Sequence, residues 1–126
     1  MKTLSNINLF DNLSQMKYNG VYYDFHNAFD FLRLELLYNK ILILYFKNIK
    51  DKKLVNLKFY DVQIERMECF NVFGVNNLTI DNIYRGRKEN NGKLIEFKDN
   101  KGYFYLEFYE GQKMEFWSSG FEINYP

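Results

Sequence analysis

Tyr103-Phe104-Tyr105-Leu106-Glu107-Phe108-Tyr109 is the stretch whose reading decides the fold. Successive side chains of a strand leave on opposite faces, so Phe104, Leu106 and Phe108 form one apolar row and Tyr103, Tyr105, Glu107 and Tyr109 form the other. That alternation predicts a half-buried strand. Ahead of it, Ile95 and Phe97 alternate with Leu94, Glu96 and Lys98, and Asp99-Asn100-Lys101-Gly102 has hairpin-loop chemistry. Pairing Lys98 with Tyr103 sets Phe97 against Phe104 and Ile95 against Leu106. Behind it, Glu110-Gly111-Gln112 turns into Lys113-Met114-Glu115-Phe116-Trp117, whose inward residues are Met114 and Phe116. Because a slip of one residue would move every side chain to the other face, the predicted register joins Phe108 to Met114 and Leu106 to Phe116. The loop is then odd-numbered and centred on Gly111. Ser118-Ser119-Gly120 interrupts the alternation as a bulge or bend does, and Phe121, Ile123 and Tyr125 resume it. Residues 94–125 are therefore expected to form a C-terminal three-strand meander.

The same register places Tyr105 between Glu96 and Trp117, and Glu107 between Leu94 and Glu115. Glu107 opposite Glu115 is a like-charge pair, mildly destabilising in a sheet unless a basic group relieves it. Two readings of this face stay open. An N-terminal helix or a second sheet covers Tyr103, Tyr105, Tyr109 and Trp117, leaving the carboxylates at a wet rim. Alternatively, Tyr103, Tyr105, Tyr109 and Trp117 with Glu96, Glu107 and Glu115 form an exposed surface for a partner, since Tyr and Trp supply large contact area at interfaces.

A chain of 126 residues and 15.4 kDa is a single domain, 1–126, long enough to bury a core without a staple. Aromatic residues make up 20% of it and Ala28 is the only alanine, a composition that favours strands over helices. Seventeen basic against sixteen acidic residues leave a net charge of +1, which removes the electrostatic case for a nucleic-acid or membrane-surface protein. A single cysteine, Cys69, and opening residues too polar for a signal peptide lead to the expectation of a cytoplasmic protein. The longest apolar run, residues 41–46, is far shorter than the roughly 20 residues of a membrane span.

From the beginning of the chain, Leu4, Ile7, Phe10 and Leu13 recur every third residue behind Thr3 or Ser5. This predicts a short helix to about residue 15 within an N-terminal arm, 1–20. Asn19-Gly20 turns into a strand at 21–25. Residues 27–38 fit a helical stripe of Phe31, Leu34 and Tyr38, and they also fit a strand. The strand is preferred because Tyr38-Asn39-Lys40 leads directly into the apolar run Ile41-Leu42-Ile43-Leu44-Tyr45-Phe46. Residues 54–60 alternate cleanly, 64–73 suit an edge or bent strand, 74–77 a turn, 78–84 a further strand and 85–92 a loop. The expected architecture is all-β and mainly antiparallel: a sandwich or partly open barrel of about eight strands; an orthogonal arrangement would let the last strand bend at Gly120 and cross between sheets.

Chemistry is sparse. His26 is the only histidine and stands beside Asp24, while Cys69 suits a small core residue. Zinc-ligand spacing and nucleotide-binding glycine loops are absent, and the basic clusters at 85–88 and 47–53 suit solvated loops. Neither a cofactor, a metal nor a catalytic residue is expected. Glu96, Glu107 and Glu115 converge in the predicted register, but beside Tyr105 and Trp117 they suit a contact surface better than an ion cage.

Asp24-Phe25-His26-Asn27-Ala28, Leu57-Lys58-Phe59-Tyr60-Asp61-Val62 and Phe116-Trp117-Ser118-Ser119-Gly120-Phe121-Glu122 together resemble the layout of small β-rich bacterial domains of the toxin-immunity type. The resemblance covers most of the chain from Val21, with Asn27 standing where an acidic residue is expected. It implies a non-enzymatic cytoplasmic binder that neutralises a partner protein, a toxin, and it transfers no catalytic residues. The expected function is binding to a basic partner by occlusion, with a small-ligand or hydrolytic barrel around an aromatic-lined cavity as the alternative and homodimerisation through the aromatic face as a third role.

Overall fold

Every regular element is a strand in the computed structural model, which describes residues 2–3, 7–68 and 78–125. In order they are β1 (Lys2–Thr3), β2 (Gln15–Tyr18), β3 (Val21–Asp24), β4 (Phe29–Leu36), β5 (Leu42–Asn48), β6 (Leu54–Tyr60), β7 (Gln63–Glu68), β8 (Ile80–Gly86), β9 (Lys88–Asn90), β10 (Lys93–Ile95), β11 (Phe97–Lys98), β12 (Lys101–Phe108), β13 (Lys113–Ser118) and β14 (Gly120–Asn124). The first five-stranded sheet has the order β1-β14-β6-β5-β4; the second runs β11-β12-β13-β7 and adds β8 alongside β12. Since β13 takes one edge of β12, β8 and β11 share the other, β8 against Tyr103–Phe108 and β11 against Lys101 and Gly102. All pairings are antiparallel.

The alternation within each strand explains where the core lies. Leu42, Leu44 and Phe46 of β5 and Val55, Leu57 and Phe59 of β6 are buried, and so are Phe104, Leu106 and Phe108 of β12 with Met114 and Phe116 of β13. Rings lock the two sheets together: Phe59 stands 5.2 Å from Phe104 and 4.9 Å from Phe116, and Phe31 stands 4.8 Å from Phe108. These edge-on contacts are an arrangement aromatic rings prefer.

One corner joins the sheets. Here β6 passes into β7 through Asp61 and Val62, and β13 passes into β14 through Ser119, each crossing from one sheet to the other. Ser118 Oγ donates to the Tyr60 carbonyl at 2.7 Å and the Ser119 amide donates to it at 3.0 Å. At Gly120 a Cβ would lie 2.5 Å from the Lys2 carbonyl oxygen, so only glycine lets β1 reach β14. Gly120→Ala is expected to cost about 1–3 kcal/mol by forcing β1 away. Urea unfolding measures it, and a loss below about 0.5 kcal/mol, ordinary for a surface change, would contradict the close approach. Opposite this corner the sheets stay apart between β4 and Leu78–Thr79, and among the described residues the barrel does not close.

Two expectations need correction. No helix forms in the described part of residues 1–20, and Leu4 lies outside the described residues. The Asn8 amide bonds Asp11 Oδ2 at 3.2 Å and the Ser14 amide bonds Asn12 Oδ1 at 3.0 Å, side-chain bonds that compete with a helical ladder. Phe10 has φ 64° and is exposed, while the segment lies along β8 through Leu13 N to Ile83 O at 2.7 Å. Second, residues 85–92 are not a plain loop: β8 runs to Gly86, and β9 and β10 form a ribbon turned by Asn91-Gly92, both at positive φ, as a tight hairpin needs. The strand foreseen over 64–73 is present in its described part, Gln63–Glu68; Cys69, the rest of that stretch and the turn at 74–77 lie outside the described residues.

Candidate functional site: the outer face of the second sheet

The hairpin between β12 and β13 sets the register of this face. The Phe108 amide donates to the Gln112 carbonyl at 2.9 Å, the Gly111 amide donates to the Phe108 carbonyl at 3.0 Å, and Gly111 has φ 101°. The loop is Tyr109-Glu110-Gly111, a turn closed by a glycine bulge. It remains odd-numbered but is shorter than expected, so Leu106 pairs with Met114 and Phe104 with Phe116. A slip of two residues keeps every side chain on its foreseen face and changes every neighbour. Tyr103 lies opposite Trp117, Tyr105 opposite Glu115 and Glu107 opposite Lys113. The Glu107–Glu115 like-charge pair does not exist. On the other side Tyr105 meets Tyr84 of β8 in place of Glu96, and Leu94 pairs with Glu89.

Trp117 and Tyr103 are 1% and 4% exposed, with ring centroids 5.2 Å apart. Their cover is charged. Lys98 Nζ lies 6.0 Å from the Trp117 ring, and Trp117 Nε1 donates to Glu65 Oε1 at 2.8 Å. Lys88 Nζ from the ribbon donates to Glu65 Oε2 at 2.6 Å, with Lys98 Nζ 3.6 Å from the same carboxylate. The hydrogen bond from Lys88, then that from Trp117, holds the Glu65 carboxyl below its ordinary range.

The half-buried part of the face carries a second set of bonds. Tyr103 Oη donates to Glu115 Oε1, whose other oxygen lies 3.8 Å from Arg66 Nη1, and Tyr105 Oη donates to Glu107 Oε1. Burial first, and then the adjacent carboxylate, pushes both phenols up. Arg66 also pairs with Glu68. A cleft of about 420 Å³ opens here, walled by Glu65, Arg66, Arg87, Lys88, Glu89, Tyr103 and Glu115. Tyr109 is 77% exposed at the hairpin end of the sheet.

Glu96 does not join Glu107 and Glu115. It binds Arg85 Nη2 at 3.2 Å, and Arg85 faces inward in line with Ile83 and Phe104. Arg85 is 1% exposed; burial lowers its pKa while Glu96 opposes that shift. His26 is also elsewhere, with Nδ1 2.6 Å from the Ile80 carbonyl. Of the seven residues foreseen on this face, the structure thus places Tyr105, Glu107 and Glu115 half-buried on it, Tyr103 and Trp117 under cover, Tyr109 at its end and Glu96 away from it. Glu65, Arg66 and Lys88 were missed. The Asn91-Gly92 dipeptide was the signal that could have drawn the ribbon, and with it Lys88, over this sheet.

Comparison with protein-family models, with curated proteins and with solved structures finds no match for the chain. Among the described residues, no three histidine, cysteine, aspartate or glutamate side chains form a metal cluster, and no helix is long and apolar enough to cross a membrane.

Proposed function

We propose that this domain is a non-enzymatic cytoplasmic binder, an immunity-like inhibitor that occludes a basic surface of another protein with the outer face of its second sheet. The observation that carries the reading is the pair of phenol-to-carboxylate bonds, Tyr103 to Glu115 and Tyr105 to Glu107, side by side on a half-open face. Carboxylates fixed in advance lose little freedom when a partner's Lys or Arg arrives, and their charge speeds encounter at low salt. Tyr109, at the end of the same hairpin, adds an aromatic contact of the kind that anchors interfaces.

Trp117 and Tyr103 are too buried to serve as test positions, so the probe is the double variant Glu107→Lys with Tyr109→Ala. A partner captured by the natural chain from its native host is expected to bind this variant at least about 30-fold more weakly, in line with the loss of one anchor and one reversed charge. The unfolding midpoint should stay near the natural value, and Lys58→Glu on the other sheet should leave capture intact. Unchanged affinity in the double variant would exclude this face as the interface.

A small-molecule ligand is the second reading. It is favoured by a cleft of about 460 Å³ on the open side of the barrel, with His26, Phe31, Lys47 and Leu78 in its wall. Chemical-shift changes confined to His26 and its neighbours on adding small apolar anions would select it.

A further inference from the structure

The edge strand β4 carries a row of backbone groups that its own sheet does not use. At the hairpin joining β4 to β5, the Leu37 amide donates to the Ile41 carbonyl at 2.9 Å. Bonded and non-bonded pairs alternate along an antiparallel ladder, so Glu35 with Ile43 and Arg33 with Tyr45 are the bonded pairs. Leu34 and Leu36, opposite Leu44 and Leu42, therefore turn their N–H and C=O groups away from β5. Among the described residues no strand receives them. Both edges of the second sheet are guarded: β7 carries Glu65, Arg66 and Glu68, and β8 is lined on its free side by residues 10–13. On β4, Leu32 and Leu36 are 43% and 50% exposed. A long apolar edge is a template for another strand.

We propose that β4 pairs with β4 of a second copy of this chain, antiparallel about a twofold axis through Leu34. Such a contact is isologous, so each residue must suit its own symmetry partner. With Leu34 on the axis, Arg33 lies opposite the partner's Glu35 and Glu35 opposite the partner's Arg33. That charge pattern selects a second copy as the occupant. Arg33 and Glu35 now bridge each other along one strand at 3.1 Å, and the antiparallel copy gives each an additional opposite charge. An axis through Glu35 would instead set the two carboxylates against each other, which is unfavourable. Leu34 already packs on the core, so pairing extends the apolar layer across the axis and fuses the two first sheets into one. The bulge between Phe31 and Arg33 confines the ladder to the second half of β4.

Sedimentation velocity of the purified chain from micromolar to millimolar concentration tests this, independently of the face on the second sheet. A concentration-dependent dimer is expected. Leu36→Lys, a charge on the exposed edge, should raise its dissociation constant at least about tenfold. Arg33→Glu and Glu35→Arg should each weaken it about three- to tenfold by placing like charges opposite one another, and the double swap should recover most of the loss. Recovery in the swap separates pairing from a folding defect, which circular dichroism checks for each variant. A natural chain that stays monomeric throughout overturns the proposal, as does a dimer indifferent to Leu36→Lys or single reversals that the swap does not rescue.

Discussion

Trp117→Ala is expected to destabilise the domain by about 3–5 kcal/mol, the usual cost of truncating a buried tryptophan. The ring is 1% exposed although it faces away from the main core, because Tyr103, Lys98 and Glu65 close over it. Truncation removes the contact with Tyr103 and opens a void that a ribbon anchored through Lys88 and Glu65 fills only in part. Trp117→Phe keeps most of the ring and loses only the Nε1 donor, so about 1–2 kcal/mol is expected. The donor's share depends on pH. Glu65 has a depressed folded pKa, so its contribution is present above its ordinary value of 4.5 and fades as pH falls through the folded value. The gap between the natural chain and Trp117→Phe should therefore narrow in acid. Denaturant unfolding of both variants measures these quantities, and a loss below about 1 kcal/mol for Trp117→Ala would mean that the indole is wet and free to anchor a partner.

The cover over Trp117 marks the limit of what alternation discloses. Phe104, Leu106, Phe108, Met114 and Phe116 were legible as one apolar face, and all are buried. Periodicity records which way a side chain points, and a shift by two residues leaves that unchanged. The choice between Leu106–Met114 and Leu106–Phe116 was made by the hairpin loop, whose length the pattern does not record. Whether a face is covered depends on a segment distant in sequence. Lys88-Glu89-Asn90 is polar because the ribbon lays its charges over the sheet, and so it read as a loop. The crossing at Ser118-Ser119-Gly120 was legible, because a break in alternation between two apolar rows has few other uses. The N-terminal period of three misled for a physical reason. Ile7 and Leu13 are buried in a segment that lies along β8 while Phe10 between them is exposed, so the spacing of three does not mark one face.

The three bonded phenols predict that the domain unfolds steeply in alkali. Tyr60, whose hydroxyl donates to Glu122, is pushed up to about 12, by burial first and then by that carboxylate, and Tyr103 and Tyr105 are raised for the same reasons. A raised folded pKa adds stability that is complete below the unfolded value of 10.0 and is lost as pH climbs through the folded one. Between those values each phenol ionises only in the unfolded chain, at a cost to stability of about 1.4 kcal/mol per pH unit. Acting together, the three make stability fall more steeply above pH 10.0 than any one of them would alone. Phenolate absorbance should therefore include a cooperative step that coincides with loss of the far-ultraviolet β signal, and Tyr103→Phe should make that step shallower. If all 11 tyrosines ionised in one gradual curve around pH 10 while the β signal persisted, the phenol-to-carboxylate bonds would not be holding. The proposed binding face would then lose its fixed carboxylates, because a Glu115 or Glu107 that no phenol holds has to be ordered by the partner itself, at the expense of affinity.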